Sequence, residues 1–343
     1  HETITWSIDV LSDDTFVTVG KDGSVRWWNA TPSAQTSHLS ASKMPSSDVA
    51  FVWNDFVVSV SEFDSDLQVI NIIDGTTSVI RGDSSELSTV AFIPNTPNVV
   101  TGDLSGEIRL WDVDKMERGH ILGDCKEQIT SLSVSSLGKT VAVGTLSGRV
   151  CVVRLNKQEP IFDSKVSDAI TLTVALNDDG TLLSVSVIGG GVITFDLKTG
   201  AELWKKDVFG ENIVAMEYIH STQSLITSTT GGAIEMLSAL TGDVQKSGDT
   251  AGGVARDLVV FPDESRFIIA LGDGTLGVWD TGSCSLIASI PAKDSLECVA
   301  VSRDGHRLAI GGGSAAIQLL DGMSPGSRFT NSKNRKDDNA TSN

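Results

Sequence analysis

The sequence is poor in aromatic residues and in positive charge. Phe, Trp and Tyr make up 6% of its 343 residues, and only one is a tyrosine. Against 44 Asp and Glu there are 26 Lys and Arg, a formal charge of −18 at pH 7. So acidic a chain is repelled by nucleic-acid phosphates and anionic membrane surfaces, so both fall away as expected partners. No stretch approaches ~18 uncharged apolar residues, which excludes a membrane-spanning helix of the usual kind and any expectation of membrane insertion. No basic flank or small-residue cleavage site follows His1 and Glu2. A chain that opens on His reads as a segment of something longer.

Cysteine is scarce and scattered. Cys125, Cys151, Cys284 and Cys298 form no C-x-x-C pair, and their spacing predicts neither a disulfide framework nor a zinc site. The corresponding expectation is a reducing, intracellular setting, cytoplasmic or nuclear. Catalytic signatures are missing too: there is no G-x-S-x-G elbow and no H-E-x-x-H pair. Leu137-Gly138-Lys139-Thr140 ends like a phosphate-binding loop, but Ser133 stands where that loop needs glycine. Gly189-Gly190-Gly191 and Gly311-Gly312-Gly313 precede no helical pattern. The expectation is a protein that is not an enzyme and needs no cofactor or metal.

What the chain has is a repeat. A small or acidic residue, Gly, one variable residue and then a β-branched or aliphatic residue open an apolar run. Strong copies are Asp22-Gly23-Ser24-Val25, Ser105-Gly106-Glu107-Ile108 and Asp273-Gly274-Thr275-Leu276. Anchored on Val25, Val69, Ile108, Val150, Ile193, Ile234, Leu276 and Ile317, the copies recur every 39 to 44 residues. That is the period of a four-stranded propeller blade.

Within one repeat the pattern alternates as strands do. The third predicts strands over Leu87 to Ile93, Asn98 to Thr101, Glu107 to Val113 and Gly119 to Leu122, separated by Pro, Asn, Gly and Asp turns. A lone four-stranded meander cannot bury both faces, but a radial stack of them can. The fold class predicted is all-β, a β-propeller of four-stranded antiparallel blades, eight of them with seven as the alternative. It would occupy residues 1–322. Residues 323–343 would follow, with a candidate closing strand at Ser327 to Asn331 and a polar tail from Ser332.

These residues resemble the WD40 repeat family. Trp111-Asp112 and Trp279-Asp280 match the family dipeptide, and Trp28-Asn29 is a near relative. The turn after the first strand also fits, as in Asn177-Asp178-Asp179-Gly180 and Ser302-Arg303-Asp304-Gly305. The family's Gly-His pair is nearly absent, with only His1 in that register, so its Asp–His–Ser/Thr–Trp hydrogen-bond network cannot recur in every repeat. A second stretch, Asp196-Leu197-Lys198-Thr199-Gly200-Ala201-Glu202-Leu203-Trp204, resembles the tryptophan-docking repeat of quinoprotein propellers. That resemblance implies a quinone-dependent dehydrogenase or its non-enzymatic assembly-factor relative. The plain alternative is a favourable turn between third and fourth strands.

The WD40 resemblance implies a non-enzymatic scaffold for protein–protein interaction within a multi-protein complex. Family members most often use the face formed by the second-to-third and fourth-to-first strand loops. There the sequence places sixteen acids against six bases. The partner-binding candidates are Asp22, Glu62, Asp64, Asp66, Asp83, Glu86, Asp103, Asp124 and Glu127, and the partner expected is a protein with a basic segment. The opposite face carries acids as well, at Asp13, Asp14, Asp178, Asp179, Asp263 and Glu264.

Overall fold

A computed structural model describes residues 5–12, 15–20, 25–29, 37–39, 48–52, 56–61, 64–71, 76–83, 85–157, 159–208, 211–261, 263–291, 296–301, 307–312 and 318–321. They form eight antiparallel sheets, seven of four strands and one of three, each a simple meander in chain order. We number them 1 to 8 along the chain: residues 5–39, 48–80, 87–124, 129–165, 171–207, 213–249, 255–291 and 296–321. First strands begin at 87, 129, 171, 213 and 255, a spacing of 42 residues that matches the sequence repeat. In sheet 3 the strands are Leu87–Phe92, Asn98–Asp103, Glu107–Asp112 and Glu117–Asp124, the last longer than the pattern suggested. Ser327 to Asn331 and the polar tail lie outside the described residues.

The second strands explain how the sheets stack. Thr140–Thr145 and Ser224–Thr229 are buried at every position. Side chains alternate across a strand, so such a strand must be covered on both faces. In sheet 3, Val99 joins a core shared with sheet 2, while Val100 joins one shared with sheet 4. Phe267 and Ile269 of sheet 7 face sheet 6, and Ile268 and Ala270 face sheet 8. Each apolar cluster thus belongs to two adjacent sheets. Among the described residues no sheet has a core of its own, which makes the stability of each depend on its neighbours.

First strands are innermost and fourth strands outermost. Consecutive first strands pack side by side, and the first strand of sheet 1 also packs against the first two strands of sheet 8, which closes the circuit. The outer strand Val244–Asp249 buries no residue. Pro160 and Pro291 both sit on outer strands, where an edge position tolerates a missing N–H. Between second and third strands the chain turns on a glycine of positive φ, +101° at Gly106 and +85° at Gly274, as the tight hairpin requires. Gly138 and Lys139 lie in the first-to-second-strand turn of sheet 4, so the phosphate-loop resemblance is a hairpin.

The repeat tryptophans are core. Trp111 and Trp279 are each 1% exposed and pack against the preceding sheet. Trp111 Nε1 donates to Thr101 Oγ1 at 2.8 Å, a remnant of the family network that survives without its histidine. Trp279 instead stacks on Phe267, ring centres 5.7 Å apart, and folds back over Gly277. Trp204 lies over Gly242 of sheet 6 and donates from Nε1 to Ala239 O at 3.0 Å. The Asp196–Gly200 stretch before it is a turn, with Asp196 Oδ1 accepting the N–H of Lys198 at 2.7 Å and of Thr199 at 3.2 Å.

The cysteine expectation is corrected in one respect. Cys125, in the loop after sheet 3, is bonded to Cys151 on the third strand of sheet 4. The two are 26 residues apart, and only the lateral contact of adjacent sheets joins them. Cys284 is free and buried.

Candidate functional site: the two loop faces

The second-to-third and fourth-to-first strand loops lie together at one end of the sheets. Asp22 and Glu62 are outside the described residues; the other seven candidates divide by what they touch. Asp103 is buried, and its Oδ1 accepts the N–H groups of Ser105, Gly106 and Glu107 at 2.8–2.9 Å. It holds the hairpin turn and presents little to a partner. Asp66 is also buried, accepting from Arg81 Nη1 at 2.8 Å and from Gly82 N at 2.9 Å. Asp83 is exposed but binds Arg109 at 2.6 Å and also Arg118. Asp124 pairs with Lys126. Asp64, Glu86 and Glu127 make no ion pair among the described residues, and Glu86 is exposed.

Sequence reasoning overcounted free acid here because it could not see the bases. Arg81 and Arg109 neutralise candidates directly, and Arg149 holds Asp163 at 2.7 Å. Arg109 is 7% exposed, bridging Glu107 and Asp83 above Trp111. An arginine in a third strand gives no sequence signal of this role; its partners come from residues 2 and 26 positions away.

At the opposite end, the first-to-second-strand turns of sheets 4 to 7 are linked laterally. Leu137 N donates to Asp178 O at 3.1 Å, and Ser136 Oγ to Asp178 Oδ1 at 2.9 Å. His220 Nδ1 lies 2.6 Å from Asp178 Oδ2, while the N–H groups of His220 and Ser221 donate to Glu264 at 3.0 and 2.8 Å. Lower down, Glu217 on the innermost strand of sheet 6 accepts the Val260 N–H of sheet 7 at 2.9 Å. Ser133 does the same for the Leu176 N–H between sheets 4 and 5, at 3.2 Å. Burial pushes the Glu217 carboxyl up to about 7, with the charges of Asp257 and Glu264 adding to it against the pull of the Val260 N–H.

No helix among the described residues is long and apolar enough to cross a membrane. The architecture defines a class: an all-β propeller whose loops gather at two ends. A family model described as WD domain, G-beta repeat matches residues 75–112. The match runs from the outer strand of sheet 2 through the third strand of sheet 3 and ends on Trp111-Asp112. Two curated relatives are 24% identical: the WD repeat-containing protein 91 homolog of Dictyostelium discoideum and the angio-associated migratory cell protein of Canis lupus familiaris. The alignments cover 60% and 55% of this chain, but only 28% and 44% of those proteins. Among solved structures, the computationally designed Ika8 protein superposes with a TM-score of 0.79 at 17% identity, covering 94% of this chain and 97% of that one. A chain of the mitotic checkpoint complex gives 0.67 at 17%, covering 80% and 86%. The matched stretch is a WD40 repeat, and these comparisons support a WD40-repeat family for the chain.

Proposed function

We propose that this chain is a non-enzymatic platform within a multi-protein complex, and that a partner with a Lys/Arg-rich segment docks on its second-to-third and fourth-to-first strand loops. The propeller occupies residues 1–322 in this reading, its eight sheets are eight blades, and residues 323–343 stand apart from it. One observation carries the proposal: after internal pairing, Asp64, Glu86, Glu127, Glu211, Asp249 and Asp273 have no ion-pair partner among the described residues. Such a surface raises the negative potential and speeds encounter with a cationic segment. The WD-domain match, a curated WD repeat-containing relative and a structural neighbour from a protein assembly support the platform role.

The test is to capture a partner with the tagged chain and titrate it at low and high salt. Screening acts within about 8 Å at physiological ionic strength, so affinity should fall as salt rises. Glu86→Lys with Glu127→Lys should slow association more than it changes dissociation. Equal binding at both salts, or an acidic docking segment, would leave the loop acid with a role in solubility alone. The quinoprotein alternative has less support, because the Asp196–Gly200 stretch and Trp204 are engaged in a turn and a sheet-to-sheet contact.

A further inference from the structure

The end of the propeller opposite the acidic loops holds a cavity of about 570 Å³, the size of an ordinary ligand or side-chain pocket. It lies where the first-to-second-strand turns of sheets 4, 5 and 6 meet the third-to-fourth-strand turns of sheets 5 and 6. Three of its features are independent of one another.

The first is apolar wall left open. Leu137 and Leu240 are 52% and 56% exposed, on turns of sheets 4 and 6, and Leu182 and Tyr218 line the interior. The second is charge. Asp178, Asp179 and Asp196 line the cavity, against one ammonium, Lys198. Partial burial works against the Asp179 carboxylate, but hydrogen bonds from Thr181 outweigh it and hold the group below the usual range. Asp196 uses Oδ1 for its turn, and no described hydrogen bond uses Oδ2. The third is rigidity. The links from Leu137 and Ser136 to Asp178, from Asp178 to His220, and from His220 and Ser221 to Glu264 tie four adjacent turns together. A site held in shape before binding loses less entropy on binding.

We propose that this cavity receives a short segment of a partner protein in which a leucine, isoleucine or phenylalanine stands beside a lysine or arginine. The apolar side chain enters between Leu137, Leu182 and Leu240, and the cation lies against Asp178 and Asp179. The proposal rests on the platform reading and adds a second docking site on the other face. Charge complementarity selects the occupant: an acidic or neutral segment would leave three carboxylates facing one ammonium, whereas a cation balances them.

The probe is an array of decapeptides with a Gly-Ser background. One set carries Leu or Phe beside two Lys or Arg residues, a second has Glu in place of the bases, and a third has Ala in place of the apolar residue. The tagged full chain should select the first set, and the best peptide is then measured by fluorescence polarisation. Asp178→Asn with Asp179→Asn should weaken that peptide at least about tenfold and flatten its salt dependence, since Asn keeps an acceptor for His220 and Thr181. Leu240→Asn changes an exposed side chain and should weaken it by a similar factor. A blank array, or a selected peptide whose affinity ignores all three substitutions, overturns the proposal. So does a chain ending at Asn331 that binds about tenfold more tightly than the full chain, because Lys333, Arg335 and Lys336 would then be the occupant. A chain that captures a partner through its acidic loops yet selects no array peptide retires the cavity and leaves the platform standing. Selection by the cavity with no salt-sensitive partner at the loops does the reverse.

Discussion

Glu217→Gln should stabilise the propeller at alkaline pH and leave it nearly unchanged at acid pH. In the folded chain the carboxyl is pushed up to about 7 from 4.5, chiefly by burial. A raised acid pKa means that the folded state holds a proton the unfolded state has released. Below pH 4.5 both states are protonated and the residue costs nothing. Between 4.5 and 7 stability falls with rising pH, and above 7 the whole cost is present. The shift corresponds to about 3 kcal/mol at full burial, and Glu217 keeps some solvent access, so about 2–3 kcal/mol is expected. Gln removes the charge while retaining an oxygen for the Val260 N–H. Urea unfolding of both proteins at pH 5 and pH 8 gives four free energies. The advantage of Gln over Glu should grow by about 2 kcal/mol between the two pH values, because at pH 5 a part of the cost is already present. Groups common to both proteins cancel in that comparison. Asp112, Asp124, Asp168, Asp179 and Glu264 have lowered pKa values, so their contributions are lost only at lower pH. A difference that stays flat across the window would refute the assignment of a protonated Glu217 between sheets 6 and 7.

Trp111→Ala should cost roughly 3–5 kcal/mol in unfolding free energy, as buried aromatics do, and it also strands Thr101; wild-type-like melting would contradict its place in the core. Gly277→Ala should destabilise by about 1–3 kcal/mol, because the new Cβ would stand 2.1 Å from Trp279 Cη2. An unchanged melting temperature would mean that the indole ring does not lie over that strand. Alkylation of the denatured, unreduced chain, read by peptide mapping, should leave Cys125 and Cys151 unmodified and label Cys284. Labelling of Cys125 and Cys151 as well would mean that packing alone holds the two together. Deleting Ser332 to Asn343 should leave the melting temperature unchanged, since that stretch has almost no apolar surface to bury; a drop would give the tail a structural role.

The sequence by itself determined the class of fold. Gly106 and Gly274 are legible because a tight turn of positive φ nearly demands glycine, and their spacing repeats with the sheets. Trp111 and Trp279 could be placed in the core because large rings end otherwise alternating strands. The site was legible only in part. Asp66 and Asp103 look like free loop acids in sequence, but Arg81 and the Ser105–Glu107 amides enclose them. Arg109, the Cys125–Cys151 bond, the half-buried Glu217 and the cavity between Leu137 and Leu240 left no trace in the sequence pattern. Each depends on a neighbour brought alongside by sheet stacking, at separations of up to 43 residues for the Glu217–Val260 contact. Local propensity and periodicity specify one meander at a time. What touches across two of them follows from the rotation between sheets, which only the assembled structure determines.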